Sequence, residues 1–182
     1  AGEGPETILF VYGGNFGGAE AASSAGVWEL NFVPLSSKYR VIAFDKIGQG
    51  YTDVPQRDED YVMSRVISHA RDFIRALGLP PVHIVGHSRG GFASARLALE
   101  NPELVRSLTI VSSGTLSPGV GTNEVTLAGP PYPPFTRESA RWVYENYCHR
   151  REVVTDQWID VVMDVLSQQT YRKGVTKMVD EK

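Results

Sequence analysis

At 182 residues, 42% apolar and 21% charged, the chain has the composition of a globular protein with material for one hydrophobic core. A net charge of -3, with lysines and arginines scattered along the chain, offers no basic face to a nucleic acid or an anionic membrane and directs attention to a small-molecule substrate. The single cysteine, Cys148, excludes an internal disulfide and stands outside any CxxC or Cys/His cluster, so neither a secreted framework nor a zinc site is indicated. AGEGPET lacks the basic, apolar, small-residue progression of a leader, and no apolar run approaches the roughly 18 residues of a membrane span, so the expected location is cytoplasmic.

In chain order, ILFVY (8–12) is a β-branched and aromatic run closed by Gly13-Gly14 and predicts a buried strand. YRVIAFD (39–45) predicts a second strand, followed by a loop containing Gly48 and Gly50. Residues 62–77 place Val66, Ile67, Ala70, Phe73, Ile74 and Leu77 on one helical face, with Gly78 just past the end as a cap. VHIVG (82–86) predicts a third strand, RGGFASARLALE (89–100) a helix stopped at Asn101-Pro102, and SLTIVSSG (107–114) a fourth strand. Strands alternating with helices predict a mostly parallel sheet with helices on both faces, its ligands at the strand C-terminal ends. After Gly114 a Gly/Pro-rich passage leads to helical segments beginning near Thr136 and Thr155, each threonine a predicted N-cap, and Ile159, Val162, Met163 and Leu166 repeat at helical spacing. The chain thus divides into a partial α/β core over 1–114 and an incomplete helical cap over 115–182.

Gly86-His87-Ser88-Arg89-Gly90 fits GxSxG and lies between an apolar strand and a helix, the context that gives the pattern meaning. A turn this tight needs near-absent side chains two residues to either side of the serine, which Gly86 and Gly90 supply. It lifts the Ser88 hydroxyl to the start of the next helix, whose free N–H groups stabilise a developing oxyanion, with Arg89 N–H as the first expected donor. A second donor is expected from the loop after the first strand, Tyr12-Gly13-Gly14-Asn15, with Gly14 N–H as the choice; read alone, a glycine pair after a strand is simply a turn. Asp45 and Asp53 read as residues that hydrogen-bond or cap their loops, and Cys148 as packing.

These residues resemble the α/β-hydrolase superfamily, and more closely its meta-cleavage-product hydrolases, which hydrolyse a carbon–carbon bond in ring-opened aromatic dienoates. The resemblance rests on AGEGPETILFVYGGNFGG, YRVIAFDKIGQGYTD, VGHSRGG and, in the cap, FTRESARWVYENYCHRREVVTDQWID. It implies an α/β-hydrolase fold with Ser88 as nucleophile or base, Gly14 and Arg89 as backbone donors, and no metal or organic cofactor. Three positions depart from the family pattern: Tyr12 stands in place of a histidine, His87 in place of an asparagine, and Val162 where a carboxylate-binding arginine is expected.

The family order of triad residues is serine, aspartate, histidine, the last two on loops beyond the cap. His69, His83, His87 and His149 all read as structural or solvated histidines, so the triad aspartate and histidine are not found here, and little activity is expected of these 182 residues by themselves. A sheet lacking further strands predicts an exposed apolar edge and self-association into a homo-oligomer. An esterase acting on small esters and an inactive binding module remain open beside the carbon–carbon hydrolase.

Overall fold

A computed structural model of the chain describes residues 1–14, 23–119 and 129–180, with the side chains of 175–180 excepted. Four parallel strands form one sheet: β1 (Thr7–Val11), β2 (Arg40–Ala43), β3 (Val82–His87) and β4 (Val105–Val111), in the order β2-β1-β3-β4. Because alternate residues of a strand face opposite ways, β1 feeds two cores at once. Leu9 and Val11 pack with Val82 and Ile84 of β3 against α2 (Met63–Ala76) and α3 (Arg89–Glu100), whose Val66, Ile67, Ile74, Ala93 and Leu97 are buried there. Ile8, Phe10 and Tyr12 face the other way, onto Trp28 and Val41, with Phe32 and Leu35 of α1 (Glu29–Ser36) against them. Helices therefore cover both faces, as the alternating pattern predicts.

The predicted elements hold with ends shifted by one to three residues: the first strand ends at Val11, the second at Ala43, and the fourth runs from Val105 to Val111. Strand ends shift because pairing depends on the neighbour, as in the register Val11 with Gly86 and His87 with Val111. Leu77 is the one misplaced core residue of α2, being 48% exposed. There the chain reverses at Gly78 (φ +58); Gly78 N–H donates to Arg75 O at 3.0 Å and Leu79 N–H to Ile74 O at 3.1 Å, and Leu79 takes the buried place.

Helix α1 had no forecast. It carries Pro34 inside and Leu30 and Val33 exposed, so no apolar stripe betrays it, and its packing is set by the sheet face above. Beyond β4 the chain forms α4 (Arg137–Tyr147), α5 (Asp156–Ser167) and α6 (Gln169–Asp180). Both predicted caps are made: Thr136 Oγ1 accepts from Ser139 N–H at 3.2 Å and Thr155 Oγ1 from Trp158 N–H at 3.1 Å. Ile159, Val162, Val165 and Leu166 of α5 are buried with Ala140, Tyr144 and Tyr171 in a third cluster, Met163 lying at its margin. Part of the Gly/Pro-rich passage, 120–128, and Asn15 of the first loop lie outside the described residues.

Strand β4 closes one side of the sheet. Its outer residues Leu108, Ile110 and Val111 are 37%, 43% and 38% exposed. No helix of the described residues is long and apolar enough to cross a membrane.

Candidate active site

The chain passes from β1 to β2 on one side of the sheet and later places β3 on the other side of β1, so the loops after β1 and β3 diverge from a common crevice. Ser88 follows β3 directly. Its backbone takes φ 52 and ψ -126, a sparsely populated conformation for a side-chain-bearing residue that costs about 1–3 kcal/mol and persists only where the surroundings enforce it. Enforcement is visible on all sides: Ser88 N–H donates to Val111 O at 3.0 Å, and Ser88 O accepts from Gly91 N–H at 2.9 Å and from the Ser113 hydroxyl at 2.6 Å.

The two elbow glycines are required by close approach. A Cβ at Gly90 would lie 2.3 Å from the carbonyl oxygens of Val11 and Tyr12, and one at Gly86 would lie 2.6 Å from Gly90 O and Ser94 Oγ. The turn therefore packs straight against the end of β1. Ser88 caps α3 at its N-terminus, so Arg89 and Gly90 occupy the first turn, where backbone N–H groups have no intrahelical acceptor.

Gly13 and Gly14 meet the elbow from the β1 side. The vacant Cβ position of Gly13 lies 2.8 Å from Ser88 Cβ and 3.0 Å from His87 Nδ1, so any side chain there would collide with the serine. Gly14 follows at φ +76. Both glycines, with His87, Ser88 and Arg89, line a cavity of about 1010 Å³. Its other walls are Val27, Trp28 and Asn31, the segment after β4 (Val111, Ser112, Gly114, Thr115), and Val143, Tyr144, Tyr147, Cys148 and Trp158 from the helices beyond. The structure thus brings together Gly14, Gly86, His87, Ser88, Arg89 and Gly90.

His87 stands between two rings, edge-on to Trp28 and to Tyr147 at 6.4 Å in each case. Burial lowers its pKa, and the Lys46 cation adds to the shift, so the ring is neutral at physiological pH. His69 accepts a hydrogen bond from Ile47 N–H at Nδ1, 3.2 Å, and burial likewise lowers its pKa. His83 Nδ1 pairs with Ser107 Oγ at 2.7 Å, and His149 is exposed. Among the described residues no histidine or carboxylate hydrogen-bonds the Ser88 hydroxyl.

Asp45 ties loops together: Oδ1 accepts from Ala25 N–H at 2.7 Å and Oδ2 from Tyr51 N–H at 3.0 Å. Asp53 contributes its carbonyl to Gly48 N–H at 2.9 Å. Cys148 lines the cavity in addition to packing on the helical cluster, and burial raises its thiol pKa. Val162 faces the helical cluster and a small crevice beside Val27, outside the main cavity's described lining. Among the described residues no group of histidine, cysteine or carboxylate side chains is arranged to hold a metal.

Sequence reasoning passed over the residues that reach this site from elsewhere. Trp28, Tyr147 and Trp158 come from three separate helical segments, of which α4 is signalled by its threonine cap, α5 by its cap and apolar period, and the first by neither. Lys46 was equally silent: it is 1% exposed, beneath the β1 loop. A lysine inside YRVIAFDKIGQG gives no local sign of burial; the tyrosine in place of histidine at position 12, on which it packs, is the nearest hint.

A fold of parallel strands with a strained serine at a strand-to-helix elbow defines the α/β hydrolases, and the chain belongs to that family: its sequence profile matches residues 6–141. Among curated relatives, 2-hydroxy-6-oxo-6-(2'-aminophenyl)hexa-2,4-dienoic acid hydrolase of Metapseudomonas resinovorans is 39% identical over 118 residues, covering 64% of this chain and 38% of that protein. The 2-hydroxymuconate semialdehyde hydrolase of Pseudomonas putida is 33% identical over 140 residues, 77% of this chain and 48% of that one. In three dimensions the chain is similar to a meta-cleavage product hydrolase from Pseudomonas fluorescens IP01, with a TM-score of 0.78 and 26% identity over 97% of this chain and 62% of the other. The chain thus spans less than half the length of these curated relatives.

Proposed function

We propose that the chain carries the nucleophile and oxyanion site of a serine-dependent hydrolase that cleaves a carbon–carbon bond in ring-opened aromatic dienoates. The observation that carries this reading is Ser88 at φ 52 on the floor of an aromatic-walled cavity, walled on the β1 side by backbone that only glycine permits. Ser88 acts on the substrate, Gly14 and Arg89 N–H receive the developing negative charge, and Gly86 and Gly90 make the turn possible. Residues 115–182 act as a cap over the core formed by 1–114, as the Tyr147 and Trp158 walls of the cavity suggest. The substrate class comes from the names of the relatives together with the ring-lined cavity. In a chain that also carries the triad aspartate and histidine, S88A is expected to lower dienoate turnover at least about a thousandfold; turnover retained within a few-fold rejects the assignment.

A second reading, a carboxylesterase on small esters, draws on one observation: Arg89 is the only cationic residue among the described lining residues, and Val162 supplies nothing to the cavity. Turnover of an aryl ester set beside that of a ring-opened dienoate separates the two, and negligible ester turnover with rapid dienoate cleavage rejects the esterase. The exposed edge strand β4 supports self-association, which a monomer by light scattering would reject.

A further inference from the structure

Lys46 is a charged side chain placed where charge is costly. It is 1% exposed, and its Nζ donates to two backbone carbonyls of the β1 loop, Gly13 O and Gly14 O, each at 3.0 Å. Its ammonium also lies 4.7 Å from the centroid of the buried Tyr12 ring, while its own backbone N–H donates to the Tyr12 hydroxyl at 3.3 Å. Taking an ammonium out of water costs several kcal/mol unless its donors are satisfied, so a lysine serving only as core packing would be poorly chosen here. Its position has a consequence for the cavity. The peptide joining Gly13 to Gly14 is planar and trans, so fixing Gly13 O toward Lys46 turns the N–H of Gly14 to the opposite side. Gly13 packs against Ser88 Cβ, and Gly14 lines the cavity.

We propose that Lys46 is a positioning residue for the oxyanion site: by clamping the Gly13 and Gly14 carbonyls from beneath, it holds the Gly14 N–H toward the substrate oxygen above Ser88. The proposal rests on the reading of Ser88 and Gly14 given above and adds to it the group that sets the donor's direction. A loop of two glycines has little stiffness of its own, since neither residue restricts its dihedrals sterically. Lys46 supplies from outside what those residues lack. The groups facing it are the charged Arg89 at the elbow and Asp45 two residues past β2, and the titratable but neutral Tyr12 and His87. Burial first, and then Arg89, bring its pKa down to about 7, with Asp45 acting in the opposite sense. The clamp is therefore half ionised near neutrality and weakens as the pH rises.

The test reads the loop and the chemistry separately. Glycine labelled with 13C at the carbonyl and 15N at the amide marks the Gly–Gly peptides 13–14, 17–18 and 90–91. In the wild-type protein the Gly13 carbonyl shift is expected to titrate with a midpoint near 7, in H87Q as well, and to be flat in K46M, with the Gly14 amide displaced. Gly13 and Gly14 shifts in K46M that match wild type and still titrate overturn the proposal. In turnover by a chain that also carries the triad aspartate and histidine, K46M is expected to lower kcat about tenfold with KM little changed, short of the ~10²–10³ lost when an oxyanion donor itself is removed. An unchanged kcat in K46M beside an inactive S88A overturns the positioning role and leaves the serine reading standing. An active S88A overturns the serine reading, and the role assigned to Lys46 with it, even if the shifts move.

Discussion

The elbow around Ser88 and the helices after Thr136 keep their shapes by opposite means. At the elbow, backbone meets backbone: Gly90 leaves no room for a methyl group against Val11 and Tyr12, and a buried lysine holds the adjoining loop. In the helices, shape comes from side chains that tolerate exchange, namely threonine caps, an apolar cluster and ion pairs such as Arg137 with Asp160 and Arg141 with Asp156. One region is fixed by what cannot fit and the other by what happens to pack. The lesson is that steric exclusion holds the strained serine where chemistry is proposed, while side-chain packing holds the helices that face it.

The largest effect should come from G90A. Its methyl has only main chain to displace, and a loss of about 3 kcal/mol or more in urea denaturation is expected, or failure to fold. A variant within about 1 kcal/mol of wild type would break the contrast. Next, L166A, which hollows the helical cluster, should cost roughly 2–5 kcal/mol. Hydrogen exchange should then open α4 and α5 while β1 and β3 stay protected; equal opening of the sheet would show the two regions to be one cooperative unit.

Lys46 gives a prediction of slope. Its folded pKa of about 7 lies below the ordinary 10.5, so between those values the unfolded chain binds the extra proton and stability should rise with pH. That rise should be missing in K46M; the same slope in both would show that Lys46 is not the group responsible. On the acid side, His69 and His87, both lowered, should make stability fall as pH drops below about 6.5. Smaller still, T155A should cost about 1 kcal/mol through the lost cap. The smallest effect is expected of R137A, whose exposed ion pairs should leave the urea midpoint unchanged at physiological salt.

Legibility along the chain followed the same division. The elbow glycines, helix α3 from Arg89 to Glu100, and the caps at Thr136 and Thr155 were readable because each is a local requirement, met by residues within four positions of one another. Strand ends and Leu77 were misjudged because pairing partners and the turn at Gly78 fix where an element stops. Helix α1 was missed because Pro34 and its exposed apolar residues hide its period.

By itself the sequence determined a parallel α/β sheet, a serine at a glycine-flanked strand-to-helix turn, and amphipathic helices after it, since periodicity and steric exclusion act over a few neighbouring residues. Tertiary structure decided the rest. Only folding brings Gly13, from a loop some seventy residues upstream, against Ser88 Cβ, stands His87 between Trp28 and Tyr147, and buries Lys46 under two carbonyls. The physical reason is that burial and charge coupling belong to a place in three dimensions, and a lysine in a polar stretch of sequence looks solvated until the sheet closes over it.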